Sequence, residues 1–389
     1  MDSNEMDLIA EEFSHLKDVI FLNAAYVIIP PKSVLSAYNG FTERYVSRFA
    51  QGIQEDTLEI IDEARSSVAE MINCGTDEIA FVKNTSESMG IITNGYPFHE
   101  GDNVILVDQE HPSNLFPWIR LHEQKGVDLQ IIENQNWDIS EDEILDKVNG
   151  KTKAVIISAV QFTSGVFVDL KKIGNFCRNN NILFIVDGIQ AIGRMKIDVA
   201  EMNIDYLGCG SNKGLLSMLG SGFMYCRKEL IEKIIPPYVG FQSVENFVKP
   251  PALTTDYSKI YWKKDARRFE AGNFNCVGIS AINAGVKLIN KIDIVNIEKH
   301  ILGLQKKLYA SISNLGLSFR TPMDNKAHWS GIICIYYDAE NEKYIQDILD
   351  KYRIYTTFRG GYIRLALNFY NTEAQLDTIK VALEEISRY

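Results

Sequence analysis

Short runs of apolar residues alternate with helix-like patterns over residues 79–226. Apolar runs of four or five residues are typical of strands that are buried on both faces of a sheet. Strands that alternate with helices are typical of a mostly parallel sheet with helices on both sides. The predicted strands are Ile79–Val82, Asn103–Val107, Leu129–Ile132, Ala154–Ser158, Ile182–Val186, Asp205–Gly208 and Gly222–Tyr225. The sequence therefore predicts an α/β fold with a mostly parallel seven-stranded sheet.

Residues beyond 292 follow a different pattern. Isoleucine and leucine recur at helical spacing from Ile294 to Ile312, which predicts a long amphipathic helix. Two strands are predicted at Gly331–Tyr336 and Tyr362–Ala366, and a capping box at Thr372–Gln375 predicts the start of the last helix. We expect a large domain over residues 19–291 and a smaller α+β domain from residues 1–18 and 292–389.

Residues 227–270 lack a regular pattern and carry Pro236-Pro237 and Pro250-Pro251 among several aromatic residues. Proline pairs of this kind interrupt both helices and strands. The segment is typical of a surface excursion or a subunit contact rather than of a domain boundary.

Composition excludes several classes of function. The 389 residues carry a formal net charge of −11, whereas nucleic-acid-binding proteins need a basic surface. The six cysteines are scattered and lack metal-ligand spacing with the histidines, so no metal site is expected. The N-terminus is acidic, and no apolar run reaches the roughly 18 residues of a membrane span. We expect a cytoplasmic protein with neither nucleic-acid nor membrane partners.

Lys213 and Asp187 carry the strongest chemical signal. Asp187 ends one predicted strand, and Lys213 lies just past the next strand along the chain. A lysine amine can form a Schiff base with an aldehyde cofactor, while a carboxylate can hold a pyridine nitrogen protonated. The pair therefore points to pyridoxal phosphate. Taken singly, Lys213 could be a solvated loop lysine and Asp187 a helix N-cap.

Polar residues follow other strands of the predicted sheet, where ligands bind in open α/β folds. Thr85 and Ser86 lie at a predicted helix start, which suits a phosphate group or an ordinary helix cap. His111 could lie on the face of a heteroaromatic ring or be a surface residue. Gln161 or Gln190 could donate a hydrogen bond to a phenolic oxygen, and Gln190 is better placed after Asp187.

Seven segments are spread over nearly the whole chain: Phe21–Ala25, Asn84–Glu87, Glu110–Trp118, Val186–Gln190, Ser211–Lys213, Arg268–Asn273 and Ile363–Thr372. In this order and spacing the chain resembles the class V aminotransferase and cysteine desulfurase-like enzymes. These belong to the fold type I pyridoxal phosphate-dependent group. The resemblance implies a pyridoxal phosphate cofactor and that Lys213, Asp187 and His111 are catalytic.

The resemblance also implies which residues bind the cofactor and the substrate. In this family, Gly272-Asn273 would approach the phosphate in the neighbouring subunit, so a homodimer with shared active sites is implied. Arg364 would bind the substrate α-carboxylate through two bonds, with Asn23 and Arg359 as further substrate-binding candidates. The cofactor-binding candidates are Thr85, Ser86, His111, Gln161, Asp187, Gln190, Ser211, Asn212, Lys213, Gly272 and Asn273.

Two departures from the family pattern bear on function. Asn212 stands where the family usually has a histidine, and an amide brings no charge to the phosphate. A cysteine desulfurase also needs a mobile thiol on a small-domain loop, yet Cys334 lies in an apolar run and is expected to be buried. Sulfur transfer through a protein persulfide is therefore disfavoured.

We therefore expect an enzyme that acts on an α-amino acid through an external aldimine, either as a C–S lyase or as an aminotransferase. An amino-acid epimerase or a decarboxylating enzyme is the alternative within the family. A nicotinamide-dependent dehydrogenase would fit the strand pattern, but no G-x-G-x-x-G follows the first strand. Asn212 and the missing thiol leave a non-catalytic relative open, although Lys213 and Asp187 count against it.

Overall fold

The fold consists of a seven-stranded sheet with helices and a smaller C-terminal layer built around a three-stranded sheet. The computed structural model describes residues 1–48, 53–245 and 259–388. Strands lie at β1 Ile20–Phe21, β2 Ile79–Val82, β3 Asn103–Val107, β4 Asp128–Ile132, β5 Thr152–Ser158, β6 Leu183–Asp187, β7 Tyr206–Gly210, β8 Gly222–Cys226, β9 Ile332–Tyr336, β10 Ile354–Tyr355, β11 Thr357–Arg359 and β12 Tyr362–Ala366. Helices lie at α1 Ser3–Glu12, α2 Lys32–Ser47, α3 Ile53–Ile72, α4 Thr85–Gly95, α5 Pro112–Lys125, α6 Glu141–Asp146, α7 Leu170–Asn179, α8 Lys228–Ile231, α9 Cys276–Ile292, α10 Ile294–Ile312, α11 Glu342–Lys351 and α12 Glu373–Ile386.

The predicted seven-stranded sheet is confirmed. Its order is β2-β8-β7-β6-β5-β3-β4, and β8 alone runs antiparallel to its neighbours. Alternate residues of one strand enter separate hydrophobic clusters on the two faces, as Ile105 and Leu106 of β3 do. The inner strands are covered on both faces and therefore have near-continuous apolar sequences, whereas the edge strand β4 is partly exposed.

Local signals set the helix ends that face the ligand-binding edge of this sheet. Asn84 caps α4, and its side chain accepts a hydrogen bond from the Glu87 amide at 2.9 Å. His111 caps α5, which has Pro112 in its first turn and ends at Gly126 in the left-handed conformation, with φ 68°. Proline at the start and glycine at the end fit the backbone needs of each terminus. These caps orient both helix N-termini toward the same edge.

The C-terminal layer contains a three-stranded antiparallel sheet of order β11-β12-β9. The predicted helices α10 and α12 and strands β9 and β12 are confirmed, and Thr372 N donates to Gln375 Oε1 at 3.3 Å in the capping box. The short strands β1, β10 and β11 were not predicted. Because β1 pairs with β10, Ile20 packs with the C-terminal layer. The predicted division into domains at residues 19 and 292 stays a prediction.

The irregular segment predicted over residues 227–270 is only partly described. The short helix α8, Lys228–Ile231, lies within this segment, contrary to the prediction, whereas residues 232–245 form neither helix nor strand and contain Pro236-Pro237. Pro250-Pro251 lie outside the described residues. Within the described part of the chain, no helix combines the length and the apolar character needed to cross a bilayer.

His328 joins the C-terminal layer to the segment that precedes α6. Its Nδ1 lies 2.6 Å from Asp138 Oδ1 and its Nε2 lies 3.3 Å from Glu141 Oε1. Burial acts to lower the pKa of His328, but the hydrogen bonds to the two carboxylates raise it to about 9. The imidazolium is therefore charged at neutral pH and links the two layers.

We predict that His328 makes stability depend on pH between about 6.5 and 9. The folded-state pKa lies above the unfolded value, so the stabilisation is complete below pH 6.5 and is lost as pH rises through 9. The unfolding free energy of the wild type should fall by up to about 3 kcal/mol relative to His328→Gln over this range. Urea unfolding at several pH values measures the difference. His99→Gln, which changes a histidine side chain that is 78% exposed, is the matched control. Parallel pH profiles of the wild type and His328→Gln would contradict the assignment.

Candidate active site

A cleft with a volume of about 260 Å³ lies at the carboxyl ends of the parallel strands, beneath the C-terminal layer. Open α/β sheets bind ligands at this edge because loops and helix N-termini converge there. The cleft is lined by Ala25, Tyr26, Asn84, Thr85, Ser86, His111, Ser113, Ser158, Val160, Phe162, Asp187, Ile189, Gln190, Asn212, Lys213, Leu219, Arg359 and Arg364. Residues predicted from distant parts of the chain are thus brought together.

Lys213 and Asp187 line this cleft from neighbouring strands. β6 and β7 are parallel, with Asp187 opposite Gly208, and Lys213 follows the end of β7 by three residues. Asp187 is 2% exposed, and its Oδ1 accepts a hydrogen bond from the Ile189 amide at 3.1 Å. A Cβ on the next residue, Gly214, would lie 1.8 Å from the Ile192 carbonyl oxygen, so only glycine permits this close approach.

Burial controls the charges of these two groups. Burial lowers the pKa of Lys213 to about 7, an effect that Asp187 opposes and that Arg364 and Arg359 increase. Burial also raises the pKa of Asp187 to about 7, against the Ile189 hydrogen bond and the charge of Lys213. A lysine with a lowered pKa is partly neutral at pH 7 and is therefore a better nucleophile and base.

The N-terminus of α4 lines the cleft with Asn84, Thr85 and Ser86. The Thr85 hydroxyl accepts a hydrogen bond from the Gly210 amide at 3.3 Å, which ties α4 to the end of β7. Free backbone amides and the helix dipole make such a terminus suitable for a phosphate. Asn212 lines the same cleft, and its amide donates to the Tyr26 carbonyl at 3.4 Å.

His111 is half-buried and neutral. Its Nδ1 accepts a hydrogen bond from the Ser113 amide at 3.1 Å, so this nitrogen carries no proton. Burial, Lys213 and the two arginines lower the His111 pKa to about 4. The ring lies edge-on to Phe162, with centroids 4.9 Å apart. A neutral imidazole in this position suits stacking on a flat ring.

Three further polar residues that were predicted to bind the cofactor form hydrogen bonds within the protein. Gln190 lines the cleft; its Nε2 donates to the Ala25 carbonyl at 2.9 Å, while its buried Oε1 has no partner. Gln161 lies behind the cleft, and its Nε2 donates to Glu110 at 3.1 Å. The Ser211 hydroxyl donates to the Met218 carbonyl at 2.7 Å and contacts Ser221 at 2.8 Å. The side chains of Gln161 and Ser211 therefore brace the cleft without lining it.

Arg364 enters the cleft from β12 and is 1% exposed. Its Nη1 donates to the Phe162 carbonyl at 2.8 Å, whereas its buried Nε and Nη2 have no partner. Arg359 lines the cleft at the end of β11. Asn23 accepts a hydrogen bond from the Thr357 hydroxyl and does not line the cleft. Gly272 and Asn273 are exposed and do not line the cleft of their own chain.

Sequence reasoning missed residues that position these groups. The buried Glu110 accepts hydrogen bonds from the Ser158 amide at 2.7 Å and from Asn114 at 2.6 Å. Arg194 is fully buried and donates to the carbonyls of Ser330 and Leu367 in the C-terminal layer. The position of Glu110 beside His111 was an available signal. Nothing local marks Arg194, because its partners are distant in sequence.

The chain is similar to known proteins over nearly its whole length. The family model for class V aminotransferases matches residues 20–379. A probable cysteine desulfurase of Methanothermobacter thermautotrophicus is 28% identical over 96% of each chain. An uncharacterized aminotransferase of Schizosaccharomyces pombe is 31% identical over 82% of this chain and 80% of its own. The solved apo cysteine desulfurase of Thermococcus onnurineus NA1 superposes with a TM-score of 0.88 at 24% identity, over 98% of each chain.

Among the residues that the structure describes, no group of three or more histidine, cysteine, aspartate or glutamate side chains could hold a metal ion.

We predict that Lys213 titrates near pH 7 in the cofactor-free protein. The amine should be protonated below this pH and neutral above it. After reductive dimethylation with ¹³C-formaldehyde, one methyl resonance should titrate near neutrality, and Lys213→Ala should remove it. Arg364→Gln should raise the Lys213 pKa because it removes a nearby like charge. Titration of the Lys213 resonance above pH 9, together with exposed lysines, would contradict the prediction.

Proposed function

Because the chain belongs to the class V aminotransferase family, we propose that this pyridoxal phosphate-dependent enzyme cleaves the carbon–sulfur bond of an α-amino acid. The observation that carries the proposal is the buried Lys213 beside Asp187, with Arg364 facing them across the same cleft. The name of the 28% identical relative, a probable cysteine desulfurase, supports sulfur-containing substrates.

The residues of the cleft fit pyridoxal phosphate. Asp187 needs a cationic partner to remain ionised, because burial raises its pKa, and a pyridine nitrogen would be that partner. Gln190 has an unpartnered buried amide oxygen beside the cleft, so its side chain retains hydrogen-bonding capacity. Lys213 would hold the aldehyde carbon, His111 would cover the ring, and Thr85 with Ser86 would hold the phosphate. When bound, the cofactor withdraws electrons from the substrate α-carbon.

The protein side chains supply binding and proton transfer. The Nε and Nη2 edge of Arg364 would bind the substrate α-carboxylate through two parallel hydrogen bonds. The Lys213 amine, with its pKa lowered to about 7 by burial, would accept the proton from the α-carbon and return it to a leaving group. The neutral His111 covers the cleft without competing for that proton.

Among the described residues, no cysteine lines the cleft to accept sulfur. Cys334 is fully buried on β9 opposite Arg364, and burial raises its pKa to about 11. The β11–β12 turn consists only of Gly360 and Gly361, so this hairpin carries no cysteine. We infer that sulfur leaves as a small thiol or sulfide and is not transferred to the protein.

Transamination is the second candidate, because within the described residues no cysteine lines the cleft. The name of the 31% identical relative, an uncharacterized aminotransferase, also supports it. Both reactions begin with removal of the α-proton, and they differ in where a proton is returned.

We further propose that two chains form a homodimer in which the exposed Gly272-Asn273 of one subunit completes the phosphate site of the other.

The products formed from a panel of amino acids test the proposed reaction. The cofactor-loaded protein should convert a sulfur-containing amino acid to pyruvate, ammonia and a thiol or sulfide, which mass spectrometry identifies. A keto acid with aminated cofactor would identify a transaminase instead. Lys213→Ala should bind the cofactor but lack turnover, which controls for non-enzymatic chemistry. Lack of conversion of every amino acid by the loaded wild type would refute the function.

We predict that Cys334→Ala keeps catalysis. The change removes one small buried side chain, so the unfolding free energy should fall on the order of 1 kcal/mol. Turnover of the substrate and the absorption spectrum of the bound cofactor should match those of the wild type. A variant that keeps this spectrum but loses sulfide release would identify Cys334 as a sulfur acceptor and contradict the inference.

A further inference from the structure

Two arginines face the same cleft, and only one is needed for an α-carboxylate. We propose that the substrate carries a second carboxylate on its sulfur substituent and that Arg359 binds this group. The inference rests on the proposed C–S lyase function and specifies its substrate class. A carboxyalkyl thioether of cysteine has this composition: an α-carboxylate, a cleavable carbon–sulfur bond and an anionic group beyond the sulfur.

Arg364 accounts for one of the two carboxylates. Its side chain is 1% exposed, and only Nη1 has a partner, the Phe162 carbonyl at 2.8 Å. The remaining edge, Nε and Nη2, is buried and unpartnered. A planar carboxylate matches this edge with two parallel hydrogen bonds. Such an edge is filled by one anion and leaves no donor for a second.

Arg359 is held nearby but is not neutralised. The tight turn through Gly360 and Gly361, with φ values of 44° and 89°, returns the chain from β11 to β12 and so brings both arginines to one cleft. The Arg359 guanidinium lies 5.6 Å from the Phe162 ring centroid and 6.0 Å from that of Tyr26. Aromatic contacts of this kind orient a guanidinium and leave its N–H groups available.

Among the residues that the structure describes, Arg359 has no acidic partner. Asp187 is the only carboxylate among the lining residues, and it lies beside Lys213 at the ends of β6 and β7. Among the described residues, neither Arg359 nor Arg364 forms an ion pair, and the buried Arg359 Nε has no hydrogen-bond partner. Burial lowers the pKa of Arg364 to about 10, and repulsion by Arg359 contributes to this shift. Two substrate carboxylates would neutralise both guanidinium groups.

The proposed reaction balances with water as the only co-reactant. For S-carboxymethyl-L-cysteine, the α-proton is removed, the Cβ–S bond breaks, and the sulfur keeps the electron pair and takes up a proton. The products are thioglycolate and a three-carbon enamine, which one water molecule hydrolyses to pyruvate and ammonia. No oxidant, reductant or protein thiol takes part. This agrees with the buried position of Cys334.

A matched pair of ligands tests the role of Arg359. S-carboxymethyl-L-cysteine and S-carbamoylmethyl-L-cysteine have nearly the same shape but differ by one negative charge. Dissociation constants for the cofactor-loaded protein follow from the change in cofactor absorbance on mixing. The wild type should bind the carboxylate compound about ten- to hundredfold more tightly. Arg359→Gln should abolish this preference while retaining the affinity for the carbamoyl compound.

Two further variants complete the design. Arg364→Gln should weaken binding of both compounds, since both have an α-carboxylate. Lys343→Gln removes a positive charge from an exposed residue of α11, outside the cleft, and should preserve the preference. Loss of the preference in Lys343→Gln would assign it to overall charge and overturn the role of Arg359.

Other outcomes would also overturn the inference. Equal weakening of both compounds by Arg359→Gln would place Arg359 on the α-carboxylate. Loss of cofactor from that variant would place it on the cofactor. Equal affinity of the wild type for both compounds would exclude a second anion site. If simple amino acids change the cofactor absorbance but the wild type does not prefer an anionic sulfur substituent, only the inference fails. If no amino acid changes it, the proposed function fails as well.

Discussion

The central constraint in this structure is the burial of Lys213 beside Asp187. Two parallel strands covered on both faces end at one edge of the sheet, so the side chains after them share a space with little water. Low solvation disfavours both charges, which lowers the pKa of the amine and raises that of the acid. The amine becomes reactive, and the acid requires a cationic ligand. Reactivity and cofactor selection therefore have the same physical origin.

The C-terminal layer completes the site, and specific contacts hold it in place. Arg194 binds the carbonyls of Ser330 and Leu367, and His328 binds Asp138 and Glu141. Arg364 itself crosses between the layers to the Phe162 carbonyl. A small shift between the layers would displace the carboxylate-binding edge from Lys213, because angular hydrogen bonds weaken steeply with misalignment. The position of Arg364 relative to Lys213 thus depends on residues outside the cleft.

Sulfur chemistry in this protein is constrained by what the β11–β12 hairpin presents. The turn is two glycines long, and the arginine before it faces the cleft. Because no cysteine of the described residues lines the cleft, we propose that the sulfur leaves as a small product and is not transferred to the protein. In the proposed reaction, Lys213 would remove the α-proton before the sulfur leaves the cleft.

The sequence by itself determined the sheet strands, the long C-terminal helices and the positions of Lys213, Asp187 and His111, because apolar runs and the residues after them are local features. Arg364 was identified through the family resemblance. It did not determine which polar side chains line the cleft. Gln161 and Ser211 have suitable chemistry, but contacts with Glu110 and Ser221 hold them behind it. Phe162, Arg194 and the pairing of β1 with β10 depend on contacts between residues far apart in the chain. Only the tertiary structure could decide these, because a side chain's partners are set by packing between distant segments.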